Sequence, residues 1–272
     1  MSKQEVGERA HALARRECAA ILQGLSATDA PEPAIHSARK AIRRLRALLA
    51  LLERSELDLD RADASLQRLG DSLSDMRDAH VVAEAAQRLR ADHPEVQLGP
   101  ACEALQRRSE RVMRNEMGKD PLLGRRRKQL ADVTLWLDAL PWHAVKSSDI
   151  KAGLLHSERR ARKAQKRAAH DDSPENVHRW RRRVRRLRMQ LEALPELGLK
   201  TAALVDALHG TGKTKALHKV SDLLGWQQDL RMLRNLVRPM PVWGGKPEVL
   251  GLIDRLMADA GVRDVSRTGV IG

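Results

Sequence analysis

The segment from Ile35 to Arg46, IHSARKAIRRLR, returns 142 residues later from Val177 to Arg188 as VHRWRRRVRRLR. Both copies have the residue types and spacing to bind phosphate. Arginine offers a planar fork of donors that grips phosphate oxygens two at a time and stays charged. Wound as helices, the copies place His36, Arg39, Lys40, Arg43, Arg44 and Arg46, and His178, Arg181, Arg182, Arg185, Arg186 and Arg188, on matching polar faces. Helical spacing sets such side chains about 5–6 Å apart, a reach suited to successive phosphates. No acidic residue lies between Ile35 and Leu52 or between Val177 and Leu191. A solvated helix ordinarily mixes signs to gain i,i+4 pairs, so these faces are built to meet an external polyanion.

The opposite faces are apolar: Ile35, Ala38, Ile42, Leu45, Leu49 and Leu52 in one copy, Val177, Trp180, Val184, Leu187, Leu191 and Leu194 in the other. Period-2 alternation is nearly absent, which predicts an all-α chain. Helices are expected at about 3–24, 33–55, 60–91, 98–118, 124–140, 148–170, 174–195, 200–236 and 246–262. The duplication extends outward. A helix with an early histidine precedes each copy (His11, His156), and a Leu-to-Asp spacing of five follows each (Leu73 and Asp78, Leu224 and Asp229). One helical unit therefore occurs twice, 1–142 and 147–265, joined near Leu140–Lys146. Two such units suggest helical bundles about a pseudo-twofold axis. That symmetry would bring the basic helices together around a central cavity. Of the twelve cations at 36–46 and 178–188, Arg179 and Arg183 turn off the shared stripe, which leaves about ten to act together. Their mutual repulsion is tolerable if a ligand or counterions relieve it.

Composition narrows the function. The 272 residues carry a net charge of +14, with no Phe, no Tyr and five Trp. So few rings argue against a single-strand binder that stacks bases. The two cysteines, Cys18 and Cys102, suit a reducing compartment, and the N-terminus lacks an apolar signal core. The longest uncharged apolar run, Ala47–Leu52, is far short of a membrane span. These features predict a soluble cytoplasmic chain with no membrane contact.

The doubled pattern His-x-x-Arg-(Lys/Arg)-x-(Ile/Val)-Arg-Arg-Leu-Arg, with the Arg77-Asp78 and Leu224-Gly225…Asp229 segments, resembles the CHAD family, the conserved histidine α-helical domain. The resemblance covers roughly residues 5 to 262. It implies two four-helix bundles around a basic pore that binds inorganic polyphosphate, and association with polyphosphate granules. It carries the family's histidine to His36 and His178 and its basic stripe to Arg39, Lys40, Arg43, Arg44, Arg46, Arg181, Arg182, Arg185, Arg186 and Arg188. No Glu-x-Glu-x-Lys strand of the triphosphate-tunnel enzyme fused to some members is present, so by resemblance this is a stand-alone module. The 159–167 segment is richer in Lys and Arg than its counterpart at 14–22, which implies unequal halves.

Two further stripes are candidate contacts: Arg159, Arg162, Lys163 and Lys166, and the more dilute Arg107, Arg111 and Arg114. The two histidines are open to two readings. Each is a phosphate donor that charges as pH falls, or each ties a helix start to Asp78 or Asp229. Gly210–Thr214 mimics a phosphate loop, but Ala207 stands where its first glycine belongs and no strand precedes it. His170, Asp171 and Asp172 resemble part of a metal site, yet a helix cap explains the aspartates. No nucleophile set is evident. The expectation is a binder rather than an enzyme, without cofactor or metal, and with general nucleic-acid backbone binding as the alternative and a possible weaker activity.

Overall fold

The computed structural model describes residues 3–27, 31–199 and 213–259, with side chains from Glu5 and Leu217 onward in the first and last stretches. The described residues are helical and contain no strand. Among the described residues ten α-helices follow in order: α1 (Lys3–Ser26), α2 (Pro31–Leu51), α3 (Asp60–Ser72), α4 (Ser74–Asp92), α5 (Gly99–Lys119), α6 (Gly124–Asp138), α7 (Ser147–His170), α8 (Pro174–Ala193), α9 (Lys213–Val237) and α10 (Lys246–Asp259). The glycine-rich segment at 210–212 and the expected helical stretches 200–212 and 260–262 lie outside the described residues. No described helix is long and apolar enough to cross a membrane.

The duplicated helices are α2 and α8. All six apolar residues expected on each are buried, and a fully buried aliphatic side chain contributes roughly 1.5–3 kcal/mol. Trp180 is fully buried in that layer. The two helices pack directly on each other. Buried Gln190 on α8 donates to the Ala47 carbonyl on α2 at 3.1 Å. That bond holds the C-terminal parts together and leaves the cationic N-terminal parts facing each other.

Two hydrophobic cores result, and both draw on both sequence halves. The larger joins α1, α2, α3, α6, α7, α8 and the first part of α9. The smaller joins α4, α5, the last part of α9 and α10. Contact between α2 and α8 and between the α4–α5 and α9–α10 hairpins carries each core across the join at 140–146.

The expected helix over 60–91 is two helices, broken at Leu73. Two arginines take the carbonyls that a continuous helix would use. Arg39 donates to the Gly70 carbonyl and to Ser74 Oγ at 2.8 Å. Arg126 donates to the Ser72 carbonyl at 2.9 Å and to Ser72 Oγ at 3.1 Å. Hydropathy period does not register such competition, because the apolar stripe continues through the break.

Helix α7 approaches the end of α2 so closely that only glycine fits. A Cβ on Gly153 would lie 1.9 Å from the Leu51 carbonyl oxygen. Gly153→Ala must therefore push α7 off α2. A loss of about 1–3 kcal/mol is expected, the range for overpacking, read as a lowered melting temperature. An unchanged melting temperature would contradict the close approach.

Candidate functional site

Between the N-terminal parts of α2 and α8 lie two adjoining hollows of about 420 and 390 Å³. Arg39, Arg43, Arg46, His178, Arg181, Arg182, Arg185 and Arg186 line the first. His36, Lys40, Arg43, Arg181, Arg185 and Arg188 line the second. Arg43, Arg77, Arg181, Arg185 and Met189 line both, so the hollows are compartments of one basic cavity. The structure thus brings together every expected cation of the duplicated stripes except Arg44.

Arg44 is a correction. It is one helical step round from Arg43 and faces α1, where its Nε and Nη2 donate to Glu17 at 2.9 and 2.7 Å. Glu17 is only 3% exposed, so Arg44 neutralises a buried carboxylate. The charge pattern marked the polar side of α2 but not which flank meets α1.

The remaining arginines differ in how free they are. Arg46 is gripped by Asp63 at 2.7 and 2.9 Å and reaches Gln67. Arg39 is held at the Leu73 break. Arg188 contacts His218 Nδ1 at 3.1 Å and Glu192 at 3.8 Å. Arg77 donates to Asp78 at 2.8 Å. Arg43, Arg181 and Arg185 form no hydrogen bond or ion pair among the described residues. Arg181 is only 7% exposed, and its Nε, like that of Arg43, is buried without a partner. An isolated buried charge costs several kcal/mol, so these groups face an anion-shaped deficit.

Electrostatics agree. Burial, then Arg181, Arg43, Arg77 and Arg188, pushes the Arg185 guanidinium down to about 8. Burial, then Arg77, Arg39, Arg181 and Arg188, pushes Arg43 down to about 10. Both remain charged at neutral pH, so the shifts express the cost of crowding cations in the empty cavity. Burial, then Arg43 and Arg77, lowers His36; burial, then Arg182, Arg181 and Arg185, lowers His178. Neither histidine bonds to Asp78 or Asp229 among the described residues, and His36 Nδ1 is buried without a partner. The reading of a helix-start tie to those aspartates is thus corrected: Asp78 pairs with Arg77, and Asp229 keeps one buried oxygen without a hydrogen-bond partner among the described residues.

The cavity is not free of acid, as the two helices alone suggested. Asp71 and Asp78 line the first compartment, and Asp222 and Asp229 the second. They come from α3, α4 and α9, outside the two basic helices. The repeated Leu-to-Asp spacing was the signal for Asp78 and Asp229. Burial raises the Asp229 carboxyl against the pull of Arg181, Arg77 and Arg185. Arg77 and the stacked pair Arg88 over Trp226, 4.4 Å apart, complete the wall, and no sequence pattern singled out that pair.

The secondary stripes lie elsewhere. Arg159, Arg162, Lys163 and Lys166 line a separate groove between α7 and the start of α8. Arg107, Arg111 and Arg114 are exposed on α5 and line neither compartment; Arg107 pairs with Glu103 at 3.4 Å. Asp171, at the metal-like cluster, accepts from Ser173 and Asn176 as a local cap. No group of three or more metal-ligating side chains occurs among the described residues. Cys18 and Cys102 are buried and form no disulfide.

Fold and site together define an all-α protein whose two like helices enclose an arginine-lined cavity. The family model of the CHAD domain matches residues 9–238, and the chain belongs to the CHAD family. Two solved structures share its fold. The CHAD domain from the plant Ricinus communis is 18% identical, with a TM-score of 0.65 and coverage of 97% of this chain and 91% of that one. PptA from Streptomyces chartreusis is 17% identical, with a TM-score of 0.62 and 96% of each chain covered. No curated protein matches the sequence.

Proposed function

We propose that the protein binds inorganic polyphosphate in the cavity between α2 and α8, without turning it over, and that binding docks it at polyphosphate granules in the cytoplasm. The observation that carries this is the set of unpaired arginines, Arg43, Arg181 and Arg185, common to both compartments. The family's association with polyphosphate supports it. Polyphosphate is a thin chain with about one charge per phosphate and no bases. It suits a cavity with many fixed donors and, in its wall, one ring already stacked on Arg88.

Nucleic acid is the weaker reading. Compartments of about 420 and 390 Å³ admit a single thin strand and exclude a duplex roughly 20 Å across, given its groove dimensions. Duplex DNA is left with the outer basic surface, where contacts are weak and salt-sensitive.

Titration with long-chain polyphosphate, heparin and duplex DNA at matched charge tests the proposal. Polyphosphate is expected to bind tightest, with affinity falling steeply as salt rises, and phosphate release should stay at the buffer level. Affinity should also rise as pH falls through the histidine range, because His36 and His178 are held neutral in the empty cavity and an anion favours their charged forms. Equal affinity for all three polyanions would reject specificity, and steady phosphate release would reject a pure binder.

A further inference from the structure

We infer that the groove between α7 and the first turns of α8 is the outer segment of the same polyanion track, occupied only by chains long enough to leave the cavity. The inference rests on the cavity reading above. The groove, about 760 Å³, is lined on the α7 side by Arg159, Lys163, Lys166 and Arg167, and on the α8 side by Asn176 and Arg179. Lys163, Lys166 and Arg167 are exposed and form no ion pair among the described residues. The nearby acids are engaged. Asp171 accepts from Ser173 and Asn176, Glu158 accepts from Arg162 at 2.8 Å, and exposed Glu175 pairs with Arg179 at 2.6 Å. The last is a surface pair worth little, and a phosphate can displace it.

Continuity comes from α8. At about 100° per residue, six of the seven arginines of Val177–Arg188, all but Arg183, follow one another round the helix as Arg188, Arg181, Arg185, Arg182, Arg186 and Arg179. The first five line the cavity and the last lines the groove. His178 sits within this arc, and no apolar residue of that segment interrupts it. Exposed His178 and Arg182 mark the rim of the first compartment, and Arg179 is the next residue after His178. A chain emerging at His178 thus meets Arg179 and then the α7 stripe without crossing an apolar surface. Short chains fill the cavity alone, and long chains gain the groove. The module therefore discriminates by chain length, as linked sites do when the second contact is intramolecular.

The test compares wild type with the triple variant Lys163→Glu, Lys166→Glu, Arg167→Glu. All three side chains are exposed, so the variant should keep the wild-type melting temperature. Inorganic pentaphosphate and long-chain polyphosphate are titrated at several salt concentrations. The variant is expected to bind pentaphosphate like wild type but to lose affinity for long chains by on the order of tenfold or more, with a shallower salt dependence. Wild-type affinity and salt slope for long chains in the variant would overturn the inference. So would loss of pentaphosphate binding, which would make the groove the primary site. So too would an unchanged affinity for one long chain with loss of chain clustering in light scattering, which would put a second chain in the groove. A cavity variant, Arg43→Glu with Arg185→Glu, separates the two claims: if it keeps pentaphosphate affinity, the cavity reading itself fails.

Discussion

Arg43→Glu combined with Arg185→Glu is expected to lower the affinity for long-chain polyphosphate by on the order of a hundredfold or more at near-physiological salt. The two residues sit on different helices and line both compartments, so one double change alters the whole cavity. Each reversal removes a donor and introduces a repelling carboxylate where phosphate must lie. The fold should survive. Neither arginine holds another described side chain, and each is pressed by its cationic neighbours. A glutamate at either position faces Arg77 and Arg181 and relieves that pressure. The melting temperature without ligand should therefore stay level or rise. Loss of binding together with collapse of the fold would point to a structural role, and retained binding would point to another surface.

Arg44 gives the opposite outcome despite being the neighbour of Arg43 in the same motif. Arg44→Ala leaves the buried carboxylate of Glu17 with only the longer contact to Arg16, at 3.5 Å. The expected loss of stability is about 3 kcal/mol, at the low end of the range for breaking a buried pair because part of the Arg44 side chain remains in water. For a domain of this size that corresponds to a fall of roughly 5 °C in melting temperature. The double variant Glu17→Gln, Arg44→Met should recover much of the loss, since no charge is then left unpaired. Polyphosphate affinity of the folded single variant should match wild type. A large loss of affinity with little loss of stability would return Arg44 to the cavity.

The contrast between Arg43 and Arg44 shows what the sequence carried and what it did not. The all-helical fold, the buried faces of α2 and α8 and most cavity cations followed from helical period and charge sign. Those are properties of one helix at a time. Which neighbour each flank meets depends on how helices cross, and no single-helix pattern contains it. Hence Arg44, in register with its motif, serves Glu17 on α1, and Arg46 is taken by Asp63 on α3. Asp71 and Asp222 were hidden for the same reason, since they reach the cavity from other helices, whereas Asp78 and Asp229 showed only as a repeated spacing. The break at Leu73 was illegible because arginine side chains from α2 and α6 cause it. The α7 stripe was visible as charge, but only the packing of α7 beside α8 placed it in a groove of its own. The α5 stripe was visible too, and packing left it away from the cavity.

The most direct measurement is a crystal structure with inorganic pentaphosphate bound. Phosphate density is expected between α2 and α8, within hydrogen-bond reach of Arg43, Arg181 and Arg185 and continuous through both compartments. An empty cavity, with phosphate confined to the outer faces of α5 or α7, would contradict it.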